Sequence, residues 1–290
     1  MTDPKRAPLR VTVPSLRERK QRAEPISVLT AYDATFARLF DEAGIDVLLV
    51  GDSLGMVVQG LPSTLAVTQE EMLYHTRAVA RGARRALIVG DMPFLTYQVS
   101  AEEALRHAGQ FLQHGAHAVK LEGGVTMAPT IRRLVDVGIP VMGHVGLTPQ
   151  SVHAMGGFKV QGKTDEDAER VLADARAVED AGAFAIVLEG IPEALAARVT
   201  GALAIPTIGI GAGKACDGQV LVSYDMLGLT ADLRPKFVKR YAELFDVAKQ
   251  AAERYADEVK RGVFPGPEHT FGAAARPAPT VSGGAYGPED

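Results

Sequence analysis

Eight short runs of β-forming residues, each followed by a stretch of helical periodicity, constrain this chain more than any other feature. The runs lie at Ser27-Tyr32, Asp46-Gly51, Leu87-Gly90, Ala118-Leu121, Pro140-Gly143, Ala185-Leu188, Pro206-Ile210 and Val220-Ser223. Between them apolar residues recur on one helical face, as at Ala104, Leu105, Ala108, Phe111 and Leu112, or at Ala168, Val171, Leu172, Ala175 and Val178. Strands alternating with helices pair in parallel, because a parallel neighbour is reached only through a crossover. Eight such units predict an α/β chain closed into a (β/α)8 TIM barrel. The competing doubly wound sheet has fewer strands and a glycine-rich phosphate turn after the first, whereas Ser27-Tyr32 runs into Asp33-Ala34 without glycine.

Local signals place the boundaries. Thr68 with Glu71, Ser100 with Glu103 and Thr164 with Asp167 have the spacing at which a hydroxyl accepts a first-turn N–H and an acid answers it. Gly44, Gly82, Gly115, Gly138 and Gly182 stand where left-handed helix termini are expected. Residues 1–26 precede the first strand and contain a helical candidate, Ser15-Arg22, read as a cap on the N-terminal face of a barrel spanning 27–272. The segment 273–290 is poor in apolar bulk and rich in Gly, Pro and Ala, which predicts a disordered tail.

With 290 residues, 47% of them hydrophobic and 23% charged, the chain can bury a sizeable core in one domain. A net charge of -4 gives no general attraction to phosphate backbones or anionic lipid, so small molecules rather than nucleic acid or membrane are the expected partners. The basic N-terminus is not followed by an apolar signal-peptide core, and no apolar run approaches the roughly 20 residues that span a bilayer. The lone Cys216 permits no internal disulfide. A cytoplasmic protein is expected.

Side chains two apart on a strand share a face. This parity groups Leu48, Val50 and Asp52; Leu87, Val89 and Asp91; Ala185, Val187 and Glu189; and Lys120 with Glu122, while the fifth strand runs into His144. Active sites of barrels are built where the strands end. There Asp52, Asp91, Glu122 and Glu189 can converge, although any one of them alone could be a solvated loop acid. Gathered carboxylates either rise in pKa or are neutralised by a cation. An oxygen-only set favours Mg²⁺, with Mn²⁺ or Co²⁺ as substitutes. His144, at the mouth, is a substrate-site candidate. His114 and His117 precede the fourth strand and belong to the opposite end.

Two motifs invite other readings. Gly209-Ile-Gly-Ala-Gly-Lys214 resembles a phosphate loop, but Ile208 and Ala215 break the Walker pattern and the spacing misses GxGxxG, leaving a tight turn. Lys120 could be a Schiff-base nucleophile, but Glu122 on the same face favours a protonated cation.

Longer stretches carry a family resemblance: Gly51-Asp-Ser-Leu-Gly-Met-Val-Val-Gln-Gly60, Asp91-Met-Pro-Phe94, Val119-Lys-Leu-Glu-Gly-Gly124, Gly143-His-Val-Gly-Leu-Thr-Pro-Gln150 and Glu268-His-Thr-Phe271. Over about residues 10–272 the chain resembles the 3-methyl-2-oxobutanoate (ketopantoate) hydroxymethyltransferase family. The resemblance implies a phosphoenolpyruvate/pyruvate-like barrel that transfers a hydroxymethyl group from 5,10-methylenetetrahydrofolate to 3-methyl-2-oxobutanoate, in pantothenate and coenzyme A synthesis, through a Mg²⁺-stabilised enolate. Carried over by motif, Asp52, Asp91 and Glu122 would hold one Mg²⁺ per subunit. Asp52, Ser53, Asp91 and Lys120 would contact the oxo-acid, and Glu189 would be the base. The family commonly forms homo-oligomers, often decamers. The nearest alternative is a Mg²⁺-dependent C–C lyase of the phosphoenolpyruvate mutase/isocitrate lyase type. Its lyase members use a loop cysteine whose motif is missing around Cys216. A metal-free aldolase, or a barrel that binds without turnover, is a more distant reading.

Overall fold

A computed structural model of the chain describes residues 9–230 and 235–271; the expected tail at 273–290 lies outside the described residues. The chain divides into two compact units, Met1–Ala242 and Glu243–Asp290. In the first, strands β1 (Ile26–Thr30), β2 (Val47–Val50), β3 (Leu87–Asp91), β4 (Ala118–Lys120), β5 (Val141–Gly146), β6 (Ala185–Glu189), β7 (Thr207–Ile210) and β8 (Gly218–Leu221) pair in parallel and in sequence order. β8 pairs back onto β1, so the barrel is closed. The helices are α1 (Val13–Gln21), α2 (Ala34–Glu42), α3 (Leu54–Val57), α4 (Gln69–Gly82), α5 (Ala101–Gln113), α6 (Ala128–Asp136), α7 (Asp165–Asp180), α8 (Glu193–Ala202), α9 (Ser223–Met226) and, in the second unit, α10 (Leu244–Lys260).

Alternation along the strands divides the apolar residues into two layers. Val28, Val47, Leu49, Val89, Ala118 and Val187 fill the barrel interior. Leu48, Val50, Ile88, Val119, Ile186 and Leu188 face outward and pack with helix residues such as Phe40, Val79, Phe111 and Val178. Burying strands on both faces is what makes their sequences read as continuous apolar runs.

The helix starts follow the sequence signals. At Thr68 the box with Glu71 is reciprocal, and the hydroxyls of Ser100 and Thr164 accept the N–H groups of Glu103 and Asp167. Gly44, Gly115, Gly138 and Gly182 sit at positive φ after their helices. Gly82 does not: it is the last residue of α4, and Ala83 leaves the helix in extended conformation. The need for glycine there is space, because a Cβ would lie 2.2 Å from the Ala34 carbonyl oxygen and 2.9 Å from the Ala37 Cβ. The expectation of a left-handed terminus at Gly82 is thus replaced by a close crossing of α2 and α4.

α1 lies where the strands begin. Leu16, fully buried, packs in the cluster that fills the barrel interior. Arg19 pairs with Asp46 and Lys20 with Asp217, each at 2.8 Å. Burial alone would raise the Asp46 pKa, but bonds from Arg19 and Ser27 outweigh it and hold the carboxyl below its usual range. His117 is at this end too: its Nδ1 accepts from the Ile88 N–H at 2.9 Å, and Arg10 contacts its Nε2. Burial, helped by the Arg10 charge, lowers the imidazole pKa to about 4. In the second unit the Phe264 ring lies against Tyr255 and His269, and Val247, Tyr255 and Val259 of α10 are exposed.

Candidate active site

Strand register assembles the opposite end of the barrel. Asp91 is the register partner of Lys120 across β3 and β4, and the Lys120 Nζ donates to both Asp91 carboxylate oxygens, at 2.7 and 2.9 Å. Lys120 is aligned with Met142, so two residues further on Glu122 reaches the level of His144, and its Oε1 lies 3.6 Å from the His144 Nδ1. His144 is aligned with Val187, so Glu189 stands one layer above it, with Oε2 3.3 Å from the His144 Nε2. Four adjacent strands therefore present Asp91, Lys120, Glu122, His144 and Glu189 in one connected row.

Asp52 arrives differently. Parity expected it on the face of Leu48 and Val50, but those two point outward to the helices. β2 ends at Val50, and Leu54 N–H to Gly51 C=O and Gly55 N–H to Asp52 C=O bonds fold the chain into a turn that returns Asp52 to the mouth. Its backbone N–H donates to Asp91 Oδ2 at 3.3 Å. Ser53 shares a 2.9 Å hydrogen bond with the Tyr32 hydroxyl.

Gln150 and Tyr97 were not singled out from the sequence, yet they tie the acids together. The Gln150 Nε2 donates to Asp52 Oδ2 at 2.9 Å and its backbone N–H to Glu122 Oε2 at 3.0 Å. The Tyr97 hydroxyl donates to Gln150 Oε1 at 2.6 Å and accepts from the Glu122 N–H at 3.1 Å. Asp52 and Glu122 are bridged by Gln150, and Glu189 joins the cluster through His144.

The charges follow from burial. Asp91 is pushed up to about 7 by desolvation, which the Lys120 charge opposes and Asp52 reinforces. Glu122 is raised well above its usual range, again by burial first, with Lys120 opposing. Desolvation would lower Lys120, but Asp91, Glu122 and Asp52 outweigh it and hold the ammonium charged. His144 is lowered by burial and by Lys120, against the pull of Glu189, so its ring is neutral at pH 7. Glu122 Oε1 and both ring nitrogens of His144 are buried without a well-aligned hydrogen bond. A cavity of about 420 Å³, bounded by Pro62, Ser63, Val152, His153 and Phe158, opens beside the turn that carries Gln150. It is mostly apolar and includes none of the acids.

A sequence model described as ketopantoate hydroxymethyltransferase matches residues 10–267. The chain belongs to this family. Among similar members of the ketopantoate hydroxymethyltransferase family, the 3-methyl-2-oxobutanoate hydroxymethyltransferase of Syntrophotalea carbinolica is 59% identical over 263 residues, covering 90% of this chain and 98% of the relative. That of Syntrophobacter fumaroxidans is 57% identical over 275 residues, covering 94% and 97%. Among solved structures, 2,3-dimethylmalate lyase, a PEP mutase/isocitrate lyase superfamily member, matches with a TM-score of 0.58 at 21% identity, covering 91% of this chain and 93% of that one. Phosphoenolpyruvate phosphomutase from Streptomyces platensis subsp. rosaceus matches with a TM-score of 0.60 at 14% identity, covering 86% and 88%. These distant likenesses establish the barrel fold alone.

Among the described residues no three His, Cys, Asp or Glu side chains form a ready-made ion cage. Mg²⁺ does not require one, since it commonly binds through one or two carboxylates and completes its octahedron with water and substrate oxygens. The buried Glu122 Oε1, without a hydrogen bond and on a carboxyl raised by desolvation, is the kind of oxygen such an ion satisfies. The donor set fits a hard cation.

Proposed function

We propose that the chain transfers a hydroxymethyl group from 5,10-methylenetetrahydrofolate to 3-methyl-2-oxobutanoate, giving 2-dehydropantoate, at the row running from Asp52 to Glu189. The observation that carries this reading is the order of charge along the row. Clustered carboxylates and a cation lie at one end, and a less buried carboxylate, Glu189, lies at the other, set apart by a neutral imidazole. Family membership at 59% identity supplies the reaction class.

Asp52, Asp91 and Glu122, the acids that the family resemblance implies, would hold Mg²⁺ directly or through water. When bound there, it supplies Lewis acidity toward an α-oxo-acid, making the C3 proton easier to remove. Lys120, kept protonated by its acids, offers a charge to the substrate carboxylate, and Ser53, beside Asp52, a hydroxyl. Glu189 is the carboxylate best suited to take the C3 proton. Its side chain is 16% exposed, against 3% for those of Asp91 and Glu122, and its partner is the neutral His144. That imidazole has a single N–H, which steadies Glu122 or Glu189 but not both. The activated C3 bonds to the methylene carbon of the donor as both C–N bonds to that carbon break; water supplies the hydroxyl oxygen of the product, and the proton taken from C3 and one from water leave on the two nitrogens of tetrahydrofolate. The 420 Å³ cavity beside the Gln150 turn offers room for the larger donor. A positioned base contributes about 10²–10⁴ in rate, roughly 3–5 kcal/mol, whereas enzymes supply about 8 kcal/mol or more. Electrostatic stabilisation of the developing negative charge, by Lys120 and by a cation that the acids would hold, supplies the remainder.

Cytoplasmic location is proposed as well, in keeping with a single, half-buried cysteine, as is assembly into a homo-oligomer, by family resemblance a decamer. No helix of the described residues is long and apolar enough to cross a membrane. The test of the activity is deuterium exchange at C3 of 3-methyl-2-oxobutanoate, followed by NMR in D₂O with Mg²⁺ and with EDTA. Exchange that needs Mg²⁺ is expected. No exchange with Mg²⁺, or equal exchange in EDTA, removes the reading.

A further inference from the structure

We infer that Gln150 is a positioning residue that dedicates one oxygen of Asp52 and one of Glu122 to hydrogen bonds within the protein, leaving the other oxygen of each for a divalent cation. This rests on the reading of Asp52 and Glu122 as ion ligands and adds to it the group that orients them.

Gln150 is 4% exposed and lies on the single turn Pro149–Ser151 that follows β5. The orientation of its amide is fixed by its neighbours. Nε2 lies 3.0 Å from the Met92 carbonyl oxygen, which can only accept, and 2.9 Å from Asp52 Oδ2. Oε1 lies 2.6 Å from the Tyr97 hydroxyl and 3.2 Å from the Gln98 amide nitrogen. Both donors and both acceptor sites of the amide are used, so a rotation of the group would place a donor against a donor and an acceptor against two acceptors.

The consequence for the acids is asymmetric. Glu122 Oε2 is claimed by the Gln150 N–H, while Oε1 faces Lys120 and His144 without a hydrogen bond. Asp52 Oδ2 is claimed by Gln150 Nε2. Tyr97 completes the device, since its hydroxyl fixes Gln150 Oε1 and accepts the Glu122 N–H. One residue thus sets the rotation of two carboxylates that enter the mouth from different strands. Groups that orient metal ligands in this manner are typically worth about 10–100-fold in metal affinity or activity. A glutamate at this position would set a carboxylate oxygen against Asp52 and the Met92 carbonyl, and a methionine would remove both side-chain donors at similar volume while keeping the main-chain N–H to Glu122.

The experiment is Mg²⁺ titration by calorimetry, without substrate, on the full-length protein, Gln150→Met, Tyr97→Phe, the double variant and Asp91→Asn, with thermal melts to report folding. Gln150→Met is expected to weaken Mg²⁺ binding about 10–100-fold. Tyr97→Phe should weaken it by less, and the double variant should bind no more weakly than Gln150→Met. A lowered melting temperature with Mg²⁺ affinity within twofold of the parent makes Gln150 a loop staple only and overturns the inference. If Gln150→Met does not fold, unchanged affinity in Tyr97→Phe overturns it equally. A parent protein that binds no Mg²⁺ sinks the ion site itself. A parent that binds it, with Asp91→Asn weakened and Gln150→Met not, sinks the role of Gln150 alone.

Discussion

Replacing Lys120 by Met strips the cation from a buried pair, and the cost should depend on pH in a defined way. Removing one partner of such a pair typically costs about 3–5 kcal/mol. Asp91 is already pushed up to about 7 by burial with Lys120 opposing, so without Lys120 its pKa moves higher still. A carboxyl whose folded pKa lies above its unfolded value of about 3.9 contributes stability that is present at low pH and lost as pH rises through the folded pKa. In the parent that loss is complete not far above pH 7. In the variant it continues, at about 1.4 kcal/mol per pH unit, until the higher pKa is passed. Lys120 itself, raised by its three carboxylates, stays charged throughout this window and adds no slope. Urea unfolding in EDTA at pH 6, 7, 8 and 9 measures the difference, which should be larger at pH 9 than at pH 7 by up to about 3 kcal/mol from Asp91, with Glu122, also held down by Lys120, adding in the same direction. A difference that is flat or shrinks with pH would show that Asp91 keeps its charge without Lys120, and the account of the pair would fail.

Two further outcomes are expected. Glu189→Gln should slow C3 exchange by about 10²–10⁴-fold while Mg²⁺ and oxo-acid affinity stay unchanged; rapid deuterium wash-in would identify another base. His117→Asn should flatten the pH dependence of stability between pH 6.5 and 4. The imidazole, lowered to about 4, favours the folded state fully above 6.5 and loses that preference as pH falls. After allowance for its partial exposure the effect is about 1–2 kcal/mol, and equal acid sensitivity of variant and parent in thermal melts would contradict it.

The barrel was legible because strands buried on both faces announce themselves as apolar runs, and each of the eight lies within a few residues of its expected place. Parity located Asp91, Lys120, Glu122 and Glu189 because β3, β4 and β6 keep their alternation up to those residues. It misjudged Asp52, since β2 stops two residues short and a turn sets the direction of the side chain. His144 was expected just beyond β5 and lies within it, because the strand runs on to Gly146. Gln150 and Tyr97 stand in loops, where no period links sequence to direction. The available signal was the place of Gln150 at the end of the motif Gly143-His-Val-Gly-Leu-Thr-Pro-Gln150. Gly82 carried the wrong meaning because lack of a side chain serves close packing as well as left-handed turns.

The Gln150 amide and its backbone reach the segments that follow β2, β3 and β4 from the one that follows β5. Those segments cannot be exchanged singly for counterparts from another barrel. A graft that removes Asp52 or Glu122 leaves a Gln150 donor stranded, and one that shifts the Met92 carbonyl strands another, so recombining this scaffold means moving the four as a cassette.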